Sequence, residues 1–157
     1  MHNTQSDSAH TDGTRGQVEA EIVDQHRFIE AWLRGDADRS AQAYGTFVAR
    51  HTPDFVLNGP GGDATPRDGL MAGLEGAHGA MPGLVIEIRD VRVLEERDNL
   101  IVAVYEEHQT SPAERSTRRS TVVFVREGTG REGTGQQGAG LRWRHLHETW
   151  IESPHPA

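Results

Sequence analysis

The chain has 157 residues, a usual size for one domain, and a formal net charge of −8, which argues against generic nucleic-acid binding because that needs a basic face. All 16 of its lysine-or-arginine residues are arginine, so Schiff-base chemistry and a phosphate-loop lysine are excluded. The absence of cysteine excludes disulfides, thiol nucleophiles and thiolate metal sites.

The two ends of the chain are predicted to lie outside the folded domain. Residues 1–17 carry almost no apolar side chain, which predicts a disordered tail, and the proline-containing residues 153–157 are predicted to fray. Met1 leads into polar residues rather than an apolar run, and no stretch is long enough to cross a bilayer. We therefore expect a cytoplasmic protein, with no membrane partner, that has one domain over residues 18–152.

Three helices are predicted before the strands begin. Apolar side chains at helical spacing predict a first helix over Val18–Arg34, ended by Gly35, and a second helix over Arg39–His51. The third helix has a clear start, with Thr65 as its cap and Pro66 at its first position.

From residue 84 onward the apolar period changes from helical to two, which predicts strands. The parity of the alternation slips by one residue near Asp90, as a β-bulge would produce. Further strands are predicted over residues 100–109, 116–126 and 141–151, with an earlier short strand at 55–57. The glycine-rich stretch 127–140 is predicted to be a flexible hairpin linker. Helices followed by long strands indicate an α+β fold with an antiparallel sheet.

Three strand motifs carry a family resemblance: Trp143-x-His145-x-His147, Tyr105-Glu106-Glu107 and the run Arg119–Val123. With this order of elements, the chain resembles the nuclear transport factor 2-like superfamily, in particular its SnoaL-like and kinase association-domain branch. The resemblance implies a cone in which three N-terminal helices pack on a strongly curved mixed or antiparallel sheet. It also implies an enclosed small-molecule pocket on one face of the sheet and a homodimer through the other.

The same resemblance implies which side chains enter the pocket. In kinase association domains an arginine follows the second histidine of the last strand and enters the pocket, and here that position is Glu148. The polar residues implied to line the pocket are Glu106, His108, Arg118, Ser120, Arg144 and Glu148. Trp150, Trp32 and Tyr44 are added as ligand-binding residues.

Two interpretations of this polar set stay open. In a shielded cavity, burial raises the pKa of a carboxyl and a nearby arginine lowers it, so Glu106, His108 or Glu148 can serve as an acid or base. Arg144 would then bind an anionic or enolate oxygen. In the alternative, the glutamates and arginines form satisfied ion pairs and take no part in chemistry.

His145 and His147 form a second candidate site, because residues at i and i+2 of a strand share a face and two histidines can chelate a metal. A third ligand is missing, so we assign both, with Trp143, to the dimer face and expect neither a metal nor a cofactor. Surface or helix-end roles are expected for the remaining histidines of the helices, which are His26, His51 and His78.

Two functions are therefore predicted. The first is a small dimeric ligand-binding or accessory module without catalysis. The alternative is a cofactor-independent acid/base enzyme, of the cyclase, isomerase or hydrolase type. An enzyme requires at least one of Glu106, His108 and Glu148 to line an open cavity.

Overall fold

The computed structural model describes residues 4–127 and 140–157, so most of the predicted glycine-rich linker lies outside the described residues. The helices are α1 (Thr4–Arg34), α2 (Ala41–Ala49) and α3 (Arg67–Glu75). The strands are β1 (His51–Asn58), β2 (Ala64–Pro66), β3 (Val85–Arg97), β4 (Leu100–Thr110), β5 (Glu114–Arg126) and β6 (Leu141–Pro156). This confirms the predicted α+β class. Within the described ranges, no helix combines the length and apolarity needed to span a bilayer.

All six strands form one mixed sheet in the order β2-β1-β6-β5-β4-β3. Strands β3 to β6 pair antiparallel with their neighbours, as long alternating strands joined in sequence do. Strand β1 pairs parallel with β6, which places the first strand beside the last and brings the segment after α2 onto the same sheet.

The helices cover one face of the sheet, which we call the inner face. Val18 and Ile22 of α1 are fully buried there against the apolar residues of β4, β5 and β6. A second cluster joins the three helices through Trp32, Tyr44, Phe47 and Met71. Burial of these two clusters is the main driving force for placing the helices over the sheet.

The N-terminal end of the domain differs from the prediction. Helix α1 begins at Thr4. Thr14 is buried and its hydroxyl donates to Glu96 at 2.7 Å, while Arg15 donates to the carbonyl of Val91 at 3.2 Å. The predicted disordered tail is therefore wrong for residues 13–17, because polar contacts to β3 fix a segment that offers little apolar surface.

The C-terminal end also differs. Strand β6 continues to Pro156, which pairs with Glu114, and the amide of Ala157 donates to the carbonyl of Ala113 at 3.2 Å. The predicted fraying of residues 153–157 is wrong, because the first residues of β5 supply backbone partners for them.

Two irregularities in the strands decide which side chains reach the inner face. The predicted bulge near Asp90 is confirmed: Asp90 has a φ of +55° and the pairing of β3 with β4 shifts around it. A second bulge lies in β6, where Phe124 pairs with Trp143 but Val123 pairs with His145, so that Arg144 is an extra residue. The side chains of β6 change parity there.

Candidate functional site

A cavity of about 180 Å³ lies on the inner face, between the helices and strands β1, β4, β5 and β6. Most of its wall is apolar and comes from Ile29, Phe47, Phe55, Leu57, Leu70, Met71, Leu74, Trp143 and Leu146. Its polar lining consists of Gln25, His26, His51, Glu107, Gln109, Arg118 and Glu148. Cavities of about 150 Å³ accept benzene, so this one has room for a single small ring-sized molecule.

His26 of α1 and Glu107 of β4 form a buried pair in the polar wall. His26 Nε2 lies 3.0 Å from Glu107 Oε1, and both side chains are at most 7% exposed. The other ring nitrogen, Nδ1, donates to the carbonyl of Ile22 at 2.7 Å. The Gln109 amide donates to the second carboxylate oxygen of Glu107. Each ring nitrogen and each carboxylate oxygen of the pair therefore has a partner.

The protonation state of this pair follows from its geometry. Burial lowers the pKa of His26, but the Glu107 carboxylate raises it by more, so the pKa lies above its ordinary 6.5. Burial raises the pKa of Glu107. The charge and hydrogen bond of His26 act in the opposite direction, and the pKa of Glu107 lies below its ordinary 4.5. Because each ring nitrogen of His26 faces an acceptor, the Ile22 carbonyl or the Glu107 carboxylate, the geometry fits an imidazolium paired with a carboxylate.

Glu148 of β6 and Arg118 of β5 form the second part of the polar wall. Glu148 is 5% exposed, and its Oε2 accepts a long hydrogen bond of 3.5 Å from Arg118 Nη1. The guanidinium carbon of Arg118 lies 4.8 Å from the centre of the Trp150 ring, a cation–π contact that holds the arginine in place.

Glu148 has an unusual acidity for a glutamate. Burial, together with the negative charge of Glu107, raises the pKa of Glu148 to about 7, against the opposing charges of Arg118 and His26. A carboxyl with this pKa exists in both protonation states near neutral pH. It can therefore accept or give up a proton at small free-energy cost.

His51 and Gln25 form a neutral polar contact in the cavity wall. His51 Nδ1 donates to the carbonyl of Phe47 at 3.1 Å, so its Nε2 accepts from the Gln25 amide at 2.6 Å. Burial lowers the pKa of His51 to about 4. His51 is therefore uncharged at neutral pH and serves as a fixed hydrogen-bond acceptor.

Three of the predicted pocket residues lie elsewhere. Glu106 and His108 point to the outer face. There the Glu106 carboxylate lies 3.2 Å from His108 Nε2 and 3.3 Å from the guanidinium of Arg119. Arg144 turns away from the cavity and donates to the backbone carbonyl of Asp54 at 3.1 Å. Their predicted place in the pocket is wrong. In β4 the odd-numbered residues face inward, and in β6 the bulge at Arg144 changes the parity.

Of the other predicted site residues, two line this cavity and four lie outside its lining. Arg118 and Glu148 line the cavity as predicted, and Trp150 supports Arg118 without being part of the lining. Ser120 is fully buried in the sheet beneath the site. Trp32 and Tyr44 belong to the second apolar cluster, where the Trp32 indole donates to the Leu74 carbonyl at 2.7 Å and the Tyr44 hydroxyl to the Met71 carbonyl.

The sequence contained signals for two functional residues that the prediction missed. His26 follows Ile22 by four positions and precedes Ile29 by three, which places it on the apolar stripe of α1. The expectation of a surface or helix-end role is therefore wrong for His26, whereas the buried His51 does lie at the end of α2, where it donates to the Phe47 carbonyl of the last turn. Glu107 shares the parity of Ala103 and Tyr105, but this signal is weak, because the residues of the opposite parity up to Val104 are apolar too.

His145 and His147 lie on the outer face, opposite the cavity, as their pairing with Val123 and Thr121 indicates. His145 Nε2 lies 3.1 Å from the side-chain nitrogen of Asn58. Trp143, which was assigned to the same face, is fully buried on the inner face, because it precedes the bulge. In the part of the chain that the structure describes, no three His, Asp or Glu side chains are arranged to hold a metal ion.

Solved structures with a similar fold include proteins of quite different kinds. An NTF-2 like protein of unknown function from Pseudomonas aeruginosa is 34% identical, with a TM-score of 0.74, and the match covers 85% of this chain and 98% of that one. A calcium/calmodulin-dependent protein kinase type II association-like domain from Thiobacillus denitrificans is 18% identical, with a TM-score of 0.51, over 71% and 85% of the two chains. A hexachlorocyclohexane dehydrochlorinase is 9% identical, with a TM-score of 0.62, over 89% and 88%.

The last two similarities show the fold alone, because their identities are low. None of the curated proteins matches the sequence. The sequence model of the SnoaL-like domain, however, matches residues 26–146, which is most of the chain and includes all of the cavity lining except Gln25 and Glu148. This match, and the 34% identity to the Pseudomonas protein, agree with the order of helices and strands. The chain therefore belongs to the SnoaL-like family of the NTF2-like superfamily.

Proposed function

We propose that this protein is a small cofactor-independent acid/base enzyme that acts on a ring-sized, mostly apolar molecule bearing a carbonyl group. One observation carries the proposal: Glu148, a carboxyl with a pKa of about 7, lines an apolar cavity beside the guanidinium of Arg118. A base with this pKa and an adjacent fixed cation are the two groups that proton removal next to a carbonyl requires.

The reaction that fits this geometry is enolisation. Ionised Glu148 takes a proton from the carbon next to the carbonyl, and the electron pair of that C–H bond moves onto the carbonyl oxygen. Arg118 stabilises the resulting oxyanion by charge and by hydrogen bonding. Returning the proton to another carbon gives an isomerisation, and attack of the enolate carbon on a second carbonyl gives a ring closure.

The His26–Glu107 pair has a positioning role in this proposal. Each of its polar atoms already has a partner, so a proton transfer by either group would break an existing hydrogen bond of the pair. Its fixed charges set the acidity of Glu148, because Glu107 raises the pKa of Glu148 and His26 lowers it. The structural similarity to a dehydrochlorinase supports an enzyme reading, since this fold accommodates catalysis in that protein.

A second candidate function is non-catalytic binding of the same kind of molecule. The observation in its favour is the closed His26–Glu107 pair, which has the form of a structural ion pair rather than a reactive one. In that case the cavity binds a ligand and no bond changes.

Proton exchange measured by NMR separates the two candidates. Small cyclic ketones, such as cyclohexanone and 1-tetralone, are incubated with the protein in D2O at pH 8, and loss of the α-proton signal is followed. We expect exchange that falls about 100-fold or more in Glu148→Gln, in line with the loss of a general base. Glu106→Gln, an outer-face carboxamide of the same size, serves as the matched control and is expected to retain the wild-type rate. If the ketones stabilise the wild-type protein against heat but exchange no faster than in buffer, the binding function is favoured.

A further inference from the structure

Apart from His51, whose pKa of about 4 leaves it uncharged at neutral pH, the polar wall of the cavity contains four ionisable side chains that come from four different elements. They are His26 of α1, Glu107 of β4, Arg118 of β5 and Glu148 of β6. The first two form a charge-neutral pair at 3.0 Å. The net charge of the wall therefore depends on Glu148: it is zero when Glu148 is ionised and +1 when Glu148 is protonated.

Arg118 is the one of these groups with hydrogen-bonding capacity to spare. Its contact with Glu148 is long, at 3.5 Å, and its Nε has no hydrogen-bond partner among the described residues. Stacking on Trp150 fixes the guanidinium plane but uses none of its N–H groups. A ligand oxyanion that approached at the normal distance of about 2.8 Å would make a better partner than Glu148 does.

Glu107 does not compete with a ligand oxyanion for the N–H groups of Arg118. Both of its carboxylate oxygens have donors, from His26 and Gln109. Of the contacts in the polar wall, the one between Glu148 and Arg118 is therefore the one that a ligand can replace with the loss of the fewest existing hydrogen bonds.

From this geometry we infer that the cavity binds small apolar oxyanions, such as ring-sized carboxylates, which displace Glu148 from Arg118 and thereby cause Glu148 to take up a proton. Such an anion resembles the enolate of the proposed reaction, but it arrives already charged. The enolate forms by moving a proton from the substrate to Glu148, whereas the carboxylate must draw that proton from solvent. The inference rests on the proposed function only in taking Glu148 as the group that exchanges a proton.

Proton uptake follows from the charges that face Glu148. Once the ligand carboxylate occupies Arg118, an ionised Glu148 would lie beside two anions, the ligand and Glu107, and the remaining cationic neighbour, His26, is already paired with Glu107. Two like charges in a buried site cannot both stay ionised without a large cost. Protonating Glu148 keeps the wall and the ligand together at zero net charge.

Titration calorimetry with benzoate tests the inference on the full-length protein. The heats are measured at pH 6, 7, 8 and 9, and at pH 8 in two buffers with different ionisation enthalpies. Benzoate is ionised throughout this range, and benzamide serves as the uncharged ligand of the same shape. We expect benzoate to bind more tightly than benzamide, with uptake of close to one proton at pH 8. Its Kd should rise about tenfold per pH unit above pH 7, since binding is then linked to one proton.

Two variants sharpen the test. Glu148→Gln should abolish the proton uptake and the rise of Kd above pH 7, and Arg118→Met should weaken benzoate binding at least tenfold at pH 6. Arg119→Gln, on the outer face, should behave as the wild type. The wild-type pH series alone decides the matter if a variant fails to fold.

The inference is overturned if benzamide binds as tightly as benzoate, or if no proton is taken up at pH 8. These results are distinct from failure of the proposed function. Benzoate binding with proton uptake, but without exchange of ketone protons, would retain the inference and remove the enzyme. Exchange of ketone protons together with pH-independent benzoate binding would retain the enzyme function and overturn the inference.

Discussion

Glu148 connects the chemistry of the site to the stability of the protein. The pKa of Glu148 is about 7 in the folded chain and near its ordinary 4.5 when unfolded, so the unfolded state loses its proton first as the pH rises. This group therefore lowers the free energy of unfolding progressively between pH 4.5 and about pH 7.

We expect Glu148→Gln to remove this loss. The variant should match the wild type near pH 5 and exceed its free energy of unfolding by about 1–3 kcal/mol at pH 8, from a shift of a few pKa units. Urea unfolding followed by circular dichroism at both pH values measures the difference. If the free energies of unfolding of the two proteins change with pH in parallel, the prediction is wrong, because Glu148 would then ionise in the folded state without lowering stability.

At the scale of single residues, sequence reasoning located part of the site. Arg118 and Glu148 were found because the family resemblance placed both on the pocket face. Glu106 and Glu107 differ only in parity, and the sequence of β4 does not say which parity faces inward, because apolar residues occupy both. The burial of His26 in an ion pair could not be predicted from its neighbours in sequence, because the residue that stabilises the buried histidine, Glu107, lies 81 positions away in the chain.

Helix α1 and strand β4 are tied together across the site by the His26–Glu107 pair. Removing one member leaves the other as an unpaired buried charge, so we expect His26→Leu to lower the free energy of unfolding by about 3–5 kcal/mol. The double variant His26→Leu/Glu107→Leu should recover most of this loss, because it buries no uncompensated charge. Chemical denaturation of the wild type, the two single variants and the double variant measures the coupling.

The outer face provides a matched control for this cycle. His108 and Glu106 form a similar pair at 3.2 Å, but their side chains are 25% and 22% exposed. We expect His108→Leu to cost less than about 1 kcal/mol, as surface ion pairs generally do. Equal losses for His26→Leu and His108→Leu would contradict the view that burial decides the effect.

Most of the elements themselves were predictable. The three helices, the change to period two and the bulge at Asp90 are local features, and the structure confirms them. The predicted start of the third helix is wrong by one residue, because Pro66 is the N-cap of α3 and Thr65 belongs to β2. The bulge at Arg144 left no such trace, because polar and aromatic residues alternate there without an apolar pattern to show the slip. The long extension of α1 before Val18 was missed for a similar reason, since it is held by polar contacts.

Among the described residues, no helix covers the outer face of the sheet, and we propose that the protein forms a homodimer through this face. Val102, Val104 and Val123 lie on this outer face and are only half-buried within one chain, while Ile151 is 43% exposed. Apolar side chains grouped in this way on a sheet usually meet another surface. The resemblance that predicted the fold also implied this assembly.

The oligomeric state tests this proposal directly. We expect the wild type to have the mass of a dimer by light scattering after size-exclusion chromatography, and Val104→Glu to shift it to the monomer mass. Ala80→Glu, at an exposed position between α3 and β3, should leave the mass unchanged. A wild-type monomer at tens of micromolar protein would refute the proposal.

The extra residue at Arg144 has a consequence for how this site can diversify. Because the bulge absorbs one residue, the part of β6 that anchors the core through Trp143 is uncoupled in register from the part that presents Glu148. Deleting Arg144 would leave a regular ladder in which His145 still pairs with Val123, so that Trp143, Leu146 and Glu148 all keep their inward orientation. The lining that Leu146 and Glu148 provide is thus buffered against a one-residue change of length at this position, and its chemistry can change by substitution at 146 and 148 on an unchanged scaffold.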